Sequence, residues 1–101
     1  MTRALIALPV DDIGLSLEEL AAGCAVTREW VIERVEAGLL TRTGGSESWI
    51  FSSRDLLRAR RLHAIERDFE ANPELAGLVA DLMEELERLR ARLRRAGIPM
   101  E

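Results

Sequence analysis

The chain has 101 residues, 48% of them hydrophobic, and its 14 basic residues, all arginine, face 18 acids to leave a net charge of −4. That length supports one small core with an appended element; the lone Cys24 excludes an intrachain disulfide or a Cys-pair metal site, and no run approaches the roughly 20 apolar residues of a membrane span. Through Ser53, eight acids stand against four arginines, whereas the remainder holds ten of each, so the negative charge belongs to the first half and argues against a phosphate-tracking surface there.

Arg3 to Val10 is short and apolar, closed by Pro9 and the acids Asp11 and Asp12. It is expected as an edge strand, not a signal peptide, and the expected compartment is the cytoplasm. Ser16 followed three positions later by Glu19 makes a capping box for a first helix, with Leu17, Leu20 and Ala21 on its apolar face and an end expected near Gly23. Thr27 caps a second helix in which Val31 and Val35 share a side and Gly38 supplies the stop before Leu39 and Leu40. Two short helices across a tight turn form a helix-turn-helix. Arg42 to Ser48, with Gly44-Gly45, is a turn-rich loop, and Trp49-Ile50-Phe51 is the one aromatic strand-type run, so loop and strand together predict a wing.

Ser52 with Asp55 opens a third helix that runs through Leu62 and Ile65 to about Phe69. Asn72-Pro73 is an N-cap followed by proline at the first helical position, which restarts the helix in a new direction after a joint at Glu70 to Asn72. From there Leu75, Val79, Leu82, Leu86, Leu89 and Leu93 repeat at heptad spacing, with Val79, Leu86 and Leu93 at a and Leu75, Leu82 and Leu89 at d, until Gly97 and Pro99. About 24 residues at roughly 1.5 Å each make a helix of about 36 Å, too long for so small a head to cover. The seam therefore predicts a homodimer, in either strand orientation. The expected organisation is a head with its following helix over 1–71 and a dimerisation helix over 72–97, forming one compact unit.

Glu29, Glu33 and Glu36 fall on one face of the second helix and cancel Arg28, Arg34 and Arg42 around it. Asp68, Asp81, Glu84 and Glu85 form a second acidic group near the joint. Either could receive a basic partner surface. Trp49 and Phe51 point to one face of their strand and Ile50 to the other, which places at least one face in the core. Trp30 lies beside the Val31/Val35 line, where a half-exposed aromatic could anchor a partner. His63 lacks a second ligand at metal spacing and reads as a surface or packing residue; Cys24 reads as a small buried hydrophobe. No nucleophile, base and orienter set and no P-loop is present, so neither an enzyme nor a cofactor is expected.

The order helix-turn-helix, Gly38-Leu39-Leu40, wing, two-helix segment and terminal coiled coil resembles the MerR superfamily over roughly Leu15 to Leu93. DNA-binding members carry Gly-Val-Ser at the turn, an Arg-Tyr-Tyr run before Gly-Leu, and an Arg in the wing. Here Ala25-Val26-Thr27, Ile32-Glu33-Arg34 and Trp49 occupy those positions. The alternative reading, a MerR-type transcriptional regulator with Arg28, Arg34 and Arg42 on phosphates, loses its signature residues. Trp-x-Phe at Trp49 and Phe51, Arg61-Leu62, Arg67-Asp68-Phe69, Asn72, Gly77-Leu78-Val79, Asp81 through Leu86, and Leu89 through Leu93 are together similar to the CbpM family of chaperone modulatory proteins. That resemblance implies binding to the J domain of a CbpA-type co-chaperone and restraint of its stimulation of Hsp70. Because J domains present a basic helix to Hsp70, it also gives the acidic balance a use.

Overall fold

A computed structural model describes residues 14–43 and 49–98; the edge strand expected at Arg3 to Val10 and most of the wing loop fall outside them. Four helices run in order: α1 (Leu17–Cys24), α2 (Arg28–Glu36), α3 (Ser53–Phe69) and α4 (Pro73–Arg95). Each opens on a side chain that satisfies an otherwise orphaned backbone N–H. Ser16 and Ser52 accept from the N–H groups of Glu19 and Asp55, whose carboxylates return the bond to the cap N–H in reciprocal capping boxes. Thr27 accepts from Trp30 and Asn72 from Leu75, the latter ahead of Pro73 at the first helical position.

The helix ends follow one pattern. After α2 the N–H of Leu39 donates to Arg34 O at 2.8 Å and that of Gly38 to Val35 O at 3.0 Å, with Gly38 at φ +80°. After α4, Ile98 donates to Leu93 O and Gly97 to Arg94 O at 2.9 and 3.0 Å. Both are Schellman motifs with glycine in the left-handed position. At α1 the same motif uses Ala25, φ 59°, so the helix runs past Gly23 to Cys24 instead of stopping at the glycine. Gly23 has a packing role: a Cβ there would lie 3.0 Å from Leu56 Cδ1 of α3.

α1 packs on α2 and α3, and α3 packs on α4. The core gathers Leu20, Val31, Leu40, Phe51 and Leu62, all fully enclosed, with Ala21, Ala59 and Ile65 between them. The strand run forms two isolated antiparallel bridges: Phe51 exchanges bonds with Leu15 at 2.8 and 2.9 Å, and Ile50 with Thr43 at 2.9 and 3.1 Å. Adjacent residues thus pair to opposite sides, and their side chains follow, with Phe51 buried against Trp49 and Ile50 outward. Extended pairing among the described residues is limited to these two bridges, a smaller element than the predicted wing.

α4 meets the head through small residues. Ala76, Gly77 and Ala80 are buried, and at Gly77 the backbone comes so close that a Cβ would stand 2.6 Å from Leu39 Cδ2. Of the six heptad residues, Val79 is half-buried and packs against the core, whereas the five leucines are exposed. At roughly 100° per residue, Leu89 lies nine residues, two and a half turns, from Ala80, which places the leucines on the opposite side of the helix. Leu75, Leu82 and Leu86 are about half exposed or more, at 50%, 61% and 47%.

Candidate functional site

α2 occupies the second position of the helix-turn-helix, and its outward face carries Glu29, Glu33 and Glu36, all exposed. Its one inward charge is Arg34. That guanidinium is 8% exposed and grips Glu66 of α3 with two parallel bonds, Nε to Oε2 at 3.2 Å and Nη2 to Oε1 at 2.8 Å. Nη1 donates to Glu33 Oε1 at 2.9 Å. The Arg34 guanidinium carbon lies 4.3 Å from the Trp30 ring centroid, and Trp30 Nε1–H donates to Glu66 Oε1 at 3.2 Å. His63 meets the Trp30 ring edge-on at 5.8 Å, which makes it a packing residue. A charge-assisted, bidentate pair with a stacked aromatic fixes α2 to α3 and leaves Arg34 no geometry for reaching a phosphate. Trp30 is likewise held from inside, so it serves the α2–α3 contact.

The other two arginines near the helix-turn-helix are also engaged. Arg28 Nε donates to Glu18 Oε2 at 3.1 Å on the surface, and Arg42 lies over the Trp49 ring at 4.8 Å. With Arg34 withdrawn, the outer surface of α1 and α2 carries Glu18, Glu19, Glu29, Glu33 and Glu36 against Arg28.

The second acidic group is used differently. Arg58 of α3 donates from Nε to Leu39 O at 2.7 Å and from Nη1 to both Asp81 Oδ1 and Glu84 Oε2 at 2.9 Å. Arg61 bonds Glu87 at 2.7 Å, Glu85 bonds Arg88 at 2.6 Å, and Asp68 bonds its neighbour Arg67 at 2.9 Å. The hydrogen bonds from Arg67, Arg88 and Arg61 hold the carboxyls of Asp68, Glu85 and Glu87, respectively, below their ordinary pKa values. Asp81 and Glu84 therefore serve as a clamp between α3, α4 and the segment after α2. Of the two candidate faces, only the α2 trio presents acids with little opposing charge beside them.

Glu66 is the participant that local sequence patterns miss, because its partner is 32 residues away. One signal existed: Glu66 follows Ile65 and stands four from Leu62, so it lies on the core-facing side of α3, where a charge requires a counter-charge. Cys24 is buried, its thiol pushed above its ordinary pKa by desolvation against an opposing pull from Arg60. Among the described residues no group of three His, Cys, Asp or Glu is placed to hold a metal ion, and no helix is long and apolar enough to cross a membrane.

Residues 15–96 match the family model of MerR HTH family regulatory proteins. The chain is similar to the chaperone modulatory protein CbpM of Coxiella burnetii (strain Dugway 5J108-111), 36% identical over 81 residues that cover 79% of this chain and 76% of that protein. It is also similar to CbpM of Pseudomonas entomophila (strain L48), 30% identical over 80 residues, covering 78% and 79%. CbpM of Pseudomonas putida (strain W619) is 29% identical over the same shares.

Proposed function

We propose, from the premise that this chain belongs to the CbpM family of chaperone modulatory proteins within the MerR-type helix-turn-helix regulators, that it binds the J domain of a CbpA-type co-chaperone and limits that domain's stimulation of Hsp70. The observation that carries this reading is the inversion of α2. The helix placed to enter a DNA groove has buried its own arginine against Glu66 and turned Glu29, Glu33 and Glu36 outward. Such a face repels phosphate and complements a basic helix.

The mechanism is competition. Long-range attraction brings the basic J-domain helix to the α2 face, and occupation of that helix denies it to Hsp70. Asp68, Asp81, Glu84 and Glu85 are the alternative docking group, but Asp81 and Glu84 already hold Arg58, so their reversal would disturb the α3–α4 contact as well as any docking.

Calorimetric titration of the protein with a CbpA-type J domain, beside a duplex DNA control in the same moderate salt, tests the reading. Micromolar or tighter J-domain binding that weakens with salt, and no DNA binding, is expected; DNA binding without J-domain binding would overturn it. Glu29→Lys with Glu36→Lys should weaken the J-domain complex at least tenfold, with the circular dichroism unchanged. Unaltered affinity in that variant would move the docking face to the Asp68, Asp81, Glu84 and Glu85 group.

A further inference from the structure

The surface that α2 shares with the start of α1 and with the Trp49-Ile50 run is concave. Leu17, Ile32, Trp49 and Ile50 line an open groove of about 660 Å³, with Glu18 and Arg28 at its edge. Leu17 and Trp49 pack against the core from beneath, whereas Ile32 is half-buried and Ile50 is 42% exposed. Aliphatic side chains scattered singly over a surface need no partner, but several gathered in one concavity mark a place where a ligand can bury apolar area.

We infer that this groove seats one amphipathic helix of the basic partner proposed for the α2 face, its apolar stripe inward and its cations along the rim, a step that rests on that reading and adds the apolar half of the recognition. Ile32 lies three residues after Glu29 and four before Glu36, so the three share one strip of α2. Glu29 and Glu36 are exposed on that strip, above the apolar lining. Glu18 stands at the α1 edge, bonded to Arg28 at 3.1 Å with both side chains more than half exposed, at 66% and 53%. So exposed a pair is weak, and an incoming cation can compete for Glu18. Glu18, Glu19, Glu29 and Glu36 against Arg28, four acids and one arginine, leave the rim at minus three. Glu33 belongs to the other flank of α2, where it holds Arg34 at 2.9 Å.

An apolar lining under a rim of carboxylates matches the cross-section of a helix with an apolar stripe and basic flanks, the arrangement of a helix laid in a groove. The two parts do different work. Exposed carboxylates attract at long range and are screened beyond about 8 Å at physiological salt, so they speed the encounter and favour basic partners over acidic ones. Retention comes from apolar side chains that lose water on contact. Ile32, flanked by Glu29 and Glu36, and Ile50, across the groove, are the anchors. A basic segment without an apolar stripe is attracted to this face and not retained, and a phosphate backbone is repelled by the rim.

The test titrates a CbpA-type J domain, over a series of salt concentrations, into the unaltered chain, Ile32→Ser, Ile50→Ser, and Glu29→Gln combined with Glu36→Gln. Circular dichroism checks folding, and Ile50→Ser, at an exposed position, carries the test if Ile32→Ser fails to fold. Each serine variant is expected to weaken binding about tenfold with the salt dependence unchanged, whereas the glutamine pair should flatten the salt dependence. Tight binding by the unaltered chain that both folded serine variants keep within about twofold would overturn the groove and leave the reading of the α2 face standing. If those variants keep their affinity but melt at lower temperature or sediment differently, the groove is filled by the chain itself or by a second copy, which also overturns the inference. No binding by the unaltered chain would overturn the reading and the groove together.

Discussion

Arg34 and Glu66 are joined by two hydrogen bonds, at 2.8 and 3.2 Å, with side chains only 10% and 13% exposed. Removing one member leaves a buried charge without its counter-charge, which costs far more than the intact pair contributes. Glu66→Ala should lower unfolding free energy by about 3–5 kcal/mol in urea titration. Replacing both, Arg34→Met with Glu66→Leu, should restore most of it. A loss below about 1 kcal/mol in the single variant would mean that water reaches the pair.

Gly77 sits where α4 crosses Leu39, and the missing Cβ is structural. Alanine would gain about 1 kcal/mol of helix propensity, but its Cβ would stand 2.6 Å from Leu39 Cδ2. Leu39 has limited room to turn away, because its side chain is half-buried and packed against the core. Gly77→Ala should therefore be net destabilising by about 1 kcal/mol. In a Leu39→Ala background the same change should become stabilising. Equal effects in both backgrounds would remove the contact as the cause.

Glu70 ends α3 at φ 51°, in the left-handed region where a side chain with a Cβ is strained. The residue is exposed, so a better left-handed former loses no packing. Glu70→Asn should raise stability by about 0.5–1 kcal/mol, read as a higher melting temperature. An unchanged melting temperature would show that Glu70 bears no strain.

Acid should loosen the helical pair. Glu87 is held below its ordinary pKa of 4.5 by the hydrogen bond from Arg61, and Asp68 below its ordinary 3.8 by that from Arg67. A depressed folded pKa means stability that is present above the unfolded value and lost as pH falls through the folded one. The urea midpoint should therefore hold steady above about pH 5 and fall below about pH 4. Glu87→Gln should flatten part of that fall, and an unchanged pH profile would exclude Glu87 from it.

Much of the fold is written locally. Ser16 and Glu19, Thr27, Ser52 and Asp55, and Asn72 and Pro73 set the helix starts because each cap bonds a group within three residues, and Gly38 and Gly97 set two stops because they admit a positive φ. The heptad spacing likewise marks Leu75 to Leu93 as one face of one helix. Gly23 shows the limit of such reading. Its composition suggests a stop, yet the fold places it inside α1 against Leu56 and leaves Ala25 to make the turn.

By itself the sequence determined helix order, the acidic balance of the first half and the existence of an apolar seam, since these depend on neighbours within a turn or on simple sums of charge. Only the tertiary structure decided which charges remain available. Arg34 looks paired with Glu33 along the chain but is bound chiefly by Glu66, and Asp81 and Glu84 look free but hold Arg58. Pairings across 23 to 32 residues depend on how α3 packs against its neighbours, because a charge is neutralised by what lies beside it in space, and no periodicity in the chain encodes that.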